Sequence, residues 1–341
     1  MSAGSGQLRV GVTYNLKSGG AACPPDKEAE YDDLSTVSAI KGALEAGGCS
    51  VELIEASDGL PVRLADCRPD IVFNIAEGVT GRGREAHIPA ILNFLNIPFT
   101  GSDETAMCIA MDKALTKRLV SAYNIRTPNY TIIANGGLSS SGTLSWPVII
   151  KPNLEGSGKG ISDVSVVSDE AGLRRVSAEK IAAYNQEMIA EEYISGREFT
   201  VGILGNEREA RVFPPMEIIF NYREKSIYSY EVKRNFKQYV RYECPPDICD
   251  SIREEIEDTA KRVFGILKCR DYARVDFRLS PEGLLYFIEI NPIPGLAPGY
   301  SDFPMLAEFC GVSYNDLIQD MLNCALSRYG LQGLQSKGVM P

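Results

Sequence analysis

A glycine-rich segment close behind a lysine has the composition of a phosphate-binding loop. Lys151 ends an apolar run at 149–151, and the loop at 155–160 follows it. Glycines let backbone N–H groups approach phosphate oxygens, and a lysine ammonium neutralises their charge. The loop lacks the first glycine of a Walker A motif, and Gly160 stands where that motif has serine or threonine. We predict phosphate binding, with a simple hairpin as the alternative, because many glycine-rich turns bind no ligand.

Three oxygen-bearing side chains lie on either side of a strong turn signal at 280–283. Asp276 precedes the turn on one predicted strand, and Glu289 and Asn291 follow it on the next. A hairpin brings such side chains together at one end of a strand pair. Carboxylate and amide oxygens are the ligands that Mg²⁺ prefers, with ATP phosphates completing its shell. The sequence therefore predicts a magnesium site; the alternative is a polar hairpin with an incidental acidic patch.

Other charged residues are spaced to act on the same ligand. Arg274 lies two residues before Asp276 on the same strand face, where it would stabilise a developing oxyanion. A salt bridge to the carboxylates is the alternative, and both can hold at once. Glu191 or Glu192, at a predicted strand end, would accept hydrogen bonds from a ribose, and Glu198 would point into the same cleft. Alone, these acids would be ordinary surface residues.

The first hundred residues alternate between predicted strands and helices. Apolar, β-rich runs at 8–14, 51–54 and 70–75 are interleaved with helical patterns at 34–46 and 86–95. This rhythm predicts a parallel sheet with helices on its faces.

The rest of the chain mixes helices with strands joined by turns. The polar, aromatic segment 221–245 has no clear period and is predicted to be a mobile loop, and the tail from residue 331 is predicted to fray. Predicted helices lie at 103–123, 169–184, 252–267, 304–309 and 314–327, and predicted strands at 146–151, 161–167, 188–192, 199–204, 271–279 and 284–290.

Composition limits the class of protein. The 341 residues predict two or three domains, and 44% hydrophobic with 23% charged residues is typical of a soluble globular protein. The net charge of −10 argues against a nucleic-acid-binding face. No apolar run reaches the roughly 18 residues that span a bilayer. Residues 1–7 lack a signal-peptide core, so we expect a cytoplasmic protein without membrane contact.

Cysteine and histidine usage narrows the chemistry. The nine cysteines are scattered without a CxxC pair, which fits reduced thiols better than disulfides or a zinc site. His87 is the only histidine, so a Ser-His-Asp triad or a multi-histidine metal site is nearly excluded. We expect His87 to lie on a helix face without a catalytic role.

Taken in order, these segments resemble the D-alanine–D-alanine ligase branch of the ATP-grasp superfamily over about residues 8–327. Ordered matches are far more specific than any single motif. The matching stretches are 99–102, 111–113, 150–152 with 155–157, 195–201, 273–276, and 289–291 with 294–295.

The resemblance implies an α/β fold, α+β in its C-terminal part, with the three-domain ATP-grasp architecture. The expected units are a parallel-sheet N-terminal domain at 1–107, a central ATP-clamping domain at 108–204, a C-terminal domain with the magnesium site at 205–330, and a flexible tail at 331–341. ATP would lie between the central and C-terminal domains, and the chain would form a homodimer.

The resemblance also implies roles for individual residues. Magnesium, or manganese, would bind Asp276, Glu289 and Asn291. The catalytic groups would be Arg274, the Gly295 N–H, Ser157 and Lys233, the last reaching the γ-phosphate when its loop closes. ATP would contact Lys113, Lys151, Glu155, Gly156, Ser157, Gly158, Glu191, Glu192, Tyr193, Ile194, Glu198 and Lys233.

The implied reaction has two steps. A substrate carboxylate attacks the γ-phosphate of ATP to give an acyl phosphate and ADP, and an amine then displaces the phosphate. Two alternatives stay open: an ATP-grasp kinase that phosphorylates a small molecule, and a non-catalytic nucleotide-binding module. Arg274 favours ligation, because a kinase has no tetrahedral carbon to stabilise. Retention of the lysines and metal ligands argues against a non-catalytic module.

The chain departs from the family pattern in the substrate pocket. Tyr31 aligns with a glutamate that binds the first substrate's ammonium, and Glu77 lies where the family has a histidine-glycine pair. Arg234 replaces a tyrosine, and Ser301-Asp302 replaces a serine-leucine pair. Arg234 would suit an extra carboxylate or phosphate, and Asp302 would bind a cationic acceptor or repel a simple amino-acid carboxylate. We therefore expect small-molecule carboxylate and amine substrates other than two D-alanines.

Overall fold

Three parallel strands form the N-terminal sheet of the chain, of which the computed structural model describes residues 7–18, 24–134, 137–138, 144–221 and 227–334. The strand order is β2-β1-β3, and all pairings are parallel, as the sequence predicts. The elements of this part are β1 Arg9–Tyr14, α1 Leu34–Ala46, β2 Ser50–Glu55, α2 Leu60–Cys67, β3 Ile71–Asn74 and α3 His87–Phe94.

Two helices lead from this sheet to the central part, α4 Glu104–Met111 and α5 Lys113–Ser121. The predicted helix at 103–123 breaks at Asp112, whose backbone is extended and whose side chain accepts a hydrogen bond from the Leu115 N–H. Asp112 therefore ends α4 and caps α5. The break makes Lys113 the first residue of α5.

The central sheet is antiparallel, and α6 covers one face. Its strand order is β5-β4-β8-β6-β7. The apolar side chains of Leu173 and Val176 on α6 pack against Val148 and Ile150 of the sheet. The elements are β4 Tyr130–Ala134, β5 Gly137–Leu138, β6 Val148–Pro152, β7 Val166–Val167, α6 Glu170–Tyr184 and β8 Met188–Glu192.

A second antiparallel sheet forms the C-terminal part, with strand order β12-β11-β9-β13-β14 and β10 paired to β9. Ile256, Ala260 and Val263 lie on one face of α9 and pack into the sheet core. The elements are β9 Arg197–Leu204, β10 Arg211–Val212, β11 Met216–Phe220, α7 Tyr230–Arg234, α8 Phe236–Tyr239, β12 Val240–Glu243, α9 Asp250–Ile266, β13 Tyr272–Leu279, β14 Leu285–Asn291, α10 Asp302–Phe309 and α11 Tyr314–Arg328.

The N-terminal sheet is fixed to the C-terminal helices. Gln319 on α11 donates a hydrogen bond to the Ala43 carbonyl on α1 at 2.8 Å. Fully buried Asp271 accepts hydrogen bonds from the Gly101 N–H at 2.8 Å and from Arg328 at 2.7 Å. These contacts hold the N-terminal part against the C-terminal part of the chain.

Some elements differ from the sequence predictions. The predicted strand at 161–167 is wrong except for β7, because the Ser162 and Ser165 side chains cap a 3₁₀ turn at 163–165. Residues 227–245 contain α7, α8 and β12, whereas residues 222–226 and 335–341 of the predicted loop and tail lie outside the described part. The domain boundaries stay predictions; pairing of β9 with β11 and β13 favours a boundary before β9 rather than at 204.

Within the described ranges, no helix is both long enough and apolar enough to cross a bilayer.

Candidate active site

The β13–β14 hairpin aligns the predicted metal ligands. Asp276 lies opposite Glu289, and Arg274 lies opposite Asn291, with a register shift just after Asp276. The Asn291 amide donates to Asp276 Oδ2 at 3.2 Å, and Thr200 Oγ1 donates to Asp276 Oδ1 at 2.7 Å. The sequence prediction that these side chains meet at one end of a strand pair is therefore confirmed as geometry, and their metal-binding role stays a prediction.

Arg274 pairs with one of these carboxylates. Its Nε and Nη2 donate to the two oxygens of Asp276 at 3.0 and 2.9 Å, which is the salt bridge that the sequence left open. Arg274 is 6% exposed, so this bidentate pair is shielded from water. Its Nη1 lies 3.7 Å from Oδ2 of buried Asp302.

Glu289 carries the ionised carboxylate of the hairpin. Burial alone would raise its pKa, but Lys113, Lys151, Lys233 and Arg274 hold the pKa of Glu289 well below its ordinary value. Lys113 Nζ lies 3.4 Å from Glu289 Oε2. An anionic carboxylate beside the Asp276 and Asn291 oxygens is a donor set that fits a divalent cation.

A buried charge cluster marks the other end of the cleft. Glu191 is 1% exposed and lies between Lys151, at 3.1 Å, and Lys117, at 3.4 Å. Burial would raise the pKa of Glu191, but the two lysines hold it below its ordinary value. Its buried Oε1 faces the Lys117 ammonium at 3.4 Å, an ion-pair distance without a well-formed hydrogen bond. Glu191 therefore holds the ammonium groups of Lys117 and Lys151 beside the cleft.

Sequence reasoning missed Lys117 and Arg278. Burial lowers the pKa of Lys117 to about 8, and its ammonium donates to the Ile288 carbonyl at 2.9 Å. Arg278 binds Glu198 at 2.5 Å and the Ile194 carbonyl at 2.8 Å. The four-residue spacing of Lys117 from Lys113 was the available signal, because it puts both ammonium groups on one helix face.

Most of the predicted ATP contacts line this one cleft, between the central and C-terminal sheets. Ser157 lines the adjoining cavity described below. The cleft is lined by Lys113, Lys151, Glu155, Gly156, Gly158, Glu191, Glu192, Tyr193, Ile194, Glu198, Lys233, Asp276 and Glu289.

The glycine-rich loop is a tight turn held by the N-terminal part. Ser157 has φ 52°, and Gly158 has φ 72°. The Gly156 N–H donates to Glu30 at 2.6 Å, and the Gly160 N–H donates to Asp26 at 2.7 Å. A phosphate must therefore be bound by other groups of the loop or must displace these carboxylates.

A second cavity adjoins the first and is acidic at one end. Arg274 and Gly295 also line it, and a Cβ built on Gly295 would lie 2.8 Å from Ser301 Oγ, so a larger residue would displace the Ser301 side chain. The acidic wall is formed by Glu30, Glu77 and Glu85.

These three glutamates lie close together around the guanidinium of Arg84. One oxygen from each lies within 4.8 Å of the others. Arg84 Nη2 binds both oxygens of Glu30 at 2.7 Å and lies 3.6 Å from Glu85. Burial, then the neighbouring glutamates, raise the pKa of Glu77 well above its ordinary value, and burial raises that of Glu85 to about 7. A cation bound among these carboxyl groups would favour their ionised forms.

The remaining predicted substrate residues are dispersed. Tyr31 donates to the Gly78 carbonyl at 3.3 Å, beside Glu77. Arg234 is exposed at the end of α7. Ser301 accepts a hydrogen bond from the Ala297 N–H at 3.1 Å, and Asp302 is buried against Arg274. Their roles in substrate binding stay predictions.

Comparison with known proteins identifies relatives across nearly the whole chain. A family model described as the D-ala D-ala ligase C-terminus matches residues 119–323. The chain is 33% identical over 303 residues to the uncharacterized protein y4sG of Sinorhizobium fredii, covering 86% of this chain and 88% of that protein. It is 32% identical over 286 residues to a D-alanine–D-alanine ligase of Aquifex aeolicus, covering 84% and 92%.

Solved structures agree on the fold. The D-alanine–D-alanine ligase of Bacillus anthracis, complexed with ATP, superposes with a TM-score of 0.73 over 95% of this chain and 99% of that chain, at 21% identity. This likeness confirms the predicted ATP-grasp fold.

Proposed function

The chain belongs to the D-alanine–D-alanine ligase family, and we propose that it is an ATP-dependent ligase that activates a carboxylate as an acyl phosphate and joins it to an amine. ADP and inorganic phosphate are the other products. The pairing of Asp276 with Glu289 beside Arg274 carries this proposal, because it unites the groups for phosphoryl transfer and for acyl transfer.

Nucleotide binding rests on the cleft between the antiparallel sheets. Lys113 and Lys151 would hold the ATP phosphates, and residues 191–194 would contact the adenine and ribose. Asp276, Glu289 and Asn291 would hold magnesium, which when bound neutralises charge on the phosphate oxygens. Lys233 lines the same cleft and would contact the γ-phosphate.

In the first step, a carboxylate oxygen attacks the γ-phosphorus, and the bond from that phosphorus to ADP breaks. In the second step, the amine nitrogen bonds to the acyl carbon, phosphate leaves, and the amine loses a proton. Arg274 and the Gly295 N–H would stabilise the oxyanion of the tetrahedral intermediate. The segment 227–243 would exclude water, because hydrolysis of the acyl phosphate is the competing reaction.

The substrates would differ from two D-alanines. Glu30, Glu77 and Glu85 line the same cavity as Arg274 and Gly295, and only Glu30 is held bidentately by Arg84. A carboxylate donor with an ammonium or other cationic group would match both sets of groups at once. The homodimer and the cytoplasmic location stay expectations.

Isotope transfer tests the reaction type. A donor labelled with ¹⁸O in its carboxylate should pass one ¹⁸O atom to the released phosphate, because the carboxylate oxygen bonds to phosphorus. Unlabelled phosphate would contradict an acyl phosphate. ADP formation with a phosphorylated product and no free phosphate would identify a kinase instead.

A further inference from the structure

A chain of hydrogen bonds joins the segment 227–243 to Asp302, which faces Arg274 of the second cavity. The Tyr228 hydroxyl donates to Asp302 Oδ1 at 2.8 Å and lies 2.7 Å from the Tyr242 hydroxyl. Asp302 is the first residue of α10 and is 6% exposed. Burial, then the charge of Asp302, hold the pKa of Tyr228 well above its ordinary value, so its hydroxyl remains a donor.

The other oxygen of Asp302 faces Arg274. Asp302 Oδ2 lies 3.7 Å from Arg274 Nη1, while the Nε and Nη2 atoms of Arg274 are bonded to Asp276. Two carboxylates thus bracket the guanidinium, which fixes its plane. Both oxygens of Asp302 are used within the protein, which argues against Asp302 as a ligand of the acceptor substrate.

Tyr228 also contacts the lysine of the segment. Lys233 Nζ lies 4.8 Å from the centre of the Tyr228 ring, within the range of a cation–π interaction. Tyr228 therefore touches Lys233 with its ring and Asp302 with its hydroxyl. Asp302 and Tyr228 together form a latch between the phosphate-facing lysine and the oxyanion-facing arginine.

We propose that Asp302 is a positioning residue for acyl transfer, which orients Arg274 and, through Tyr228, holds the segment 227–243 closed over the site. This inference rests on the proposed function for its catalytic consequence. Opening of the latch exposes the acyl phosphate to water, and it also slows phosphoryl transfer because Lys233 lies on the same segment. Its signature is uncoupling: phosphate is released without a matching amount of ligated product.

The first test needs no substrate. Asp302→Asn and Tyr228→Phe are digested with trypsin in Mg-ATP, and cleavage after Lys233, Arg234 and Lys237 is followed by mass spectrometry. The latch predicts cleavage about tenfold faster in Tyr228→Phe, since losing one buried hydrogen bond to a charged group costs about that factor. Asp302→Asn should also be cleaved faster, by a smaller factor, because its amide oxygen can still accept but carries no charge. Asp66→Asn and Tyr123→Phe make the same two changes at exposed positions away from the latch. These control variants should be cleaved at the rate of the unmodified protein. Cleavage at the unmodified rate would overturn the latch.

The second test uses the donor and acceptor that support phosphate release. Each variant should raise the ratio of phosphate to ligated product several-fold and lower kcat for ligation, with KM for the acceptor nearly unchanged. The double variant should be no worse than the poorer single variant, because both remove one latch.

A rise in KM for the acceptor alone would identify Asp302 as a substrate ligand and overturn the proposal. Absence of ligation by the unmodified protein would contradict the proposed function instead, and the trypsin result would still stand.

Discussion

Asp276 and Glu289 lie directly opposite each other on the β13–β14 hairpin. Glu289 is kept ionised by the surrounding lysines and by Arg274. The pair therefore presents two carboxylates to one point in the cleft, where a divalent cation and the ATP phosphates would meet.

Glu289→Gln removes one of these charges while keeping the side chain's shape. We expect kcat to fall on the order of 10²–10³-fold and the magnesium requirement to shift to higher concentration, because a neutral amide is a poorer ligand for a hard cation. Activity measured against Mg²⁺ concentration checks this. Glu282→Gln, exposed on the turn of the same hairpin, is the matched control. An unchanged magnesium dependence in Glu289→Gln would contradict the metal assignment.

Arg274→Lys keeps the charge but loses the bidentate fork to Asp276. Ligation should fall on the order of 10²–10³-fold, the usual cost of losing an oxyanion donor. The Kd for ATP should change little, since Arg274 faces the second cavity. Calorimetric ATP binding beside single-turnover product formation separates the two effects. Equal losses of binding and ligation would argue for a purely structural role.

The acidic wall makes donor binding depend on pH. The pKa of Glu85 is raised from its ordinary value of 4.5 to about 7, so the free protein gains carboxylate charge there as pH rises through 7. KM for a cationic donor should therefore fall between pH 6 and pH 8. The charged groups that face Glu85 are Arg84, Glu30, Glu77, Lys113 and Glu155. Glu85→Gln should raise KM about tenfold and flatten the profile. A flat profile in the unmodified protein would exclude Glu85 from donor binding.

The Glu85 carboxyl group also affects the stability of the folded protein. High pH favours donor binding, whereas low pH favours the folded state. Because its folded pKa is raised, Glu85 favours the folded state below pH 4.5, and that contribution is lost as pH rises through about 7. Glu85→Gln should therefore raise Tm at pH 8 more than at pH 5. Thermal unfolding at the two pH values checks this. Glu45→Gln, at an exposed position on α1, is the control. A lower Tm at pH 8 would mean that Glu85 is stabilised by Arg84.

Gly158, in the glycine-rich loop, packs against the segment 227–243, which carries Lys233. It has φ 72°, and a Cβ there would lie 3.1 Å from the Tyr230 nitrogen and 3.3 Å from the Tyr228 carbonyl oxygen. Gly158→Ala should raise KM for ATP about tenfold, through backbone strain and displacement of that segment. Gly283→Ala has φ 80° without close neighbours, so it isolates the strain. Equal KM values in the two variants would show that the contact is unimportant.

The sequence predicted best where the relevant residues are close along the chain. Asp276, Glu289 and Asn291 are joined by one short turn, so strand pairing alone brings them together. The Arg84–Glu30 pair and the Tyr228–Asp302 bond join residues 54 and 74 positions apart, and only the packing of distant elements decides such contacts. The sequence shows that Asp302 departs from the family's serine-leucine pair, but it does not show the hydrogen bond from Tyr228 to Asp302.

The central claim is that phosphate release is coupled to joining a carboxylate and an amine. The most direct measurement is phosphate release from Mg-ATP across a panel of carboxylates, with and without cationic groups, each with and without amino-acid acceptors. We predict release that requires both substrates, is fastest with a cationic donor, and equals the ligated product formed. No release with any combination, although ATP binds, would contradict the account.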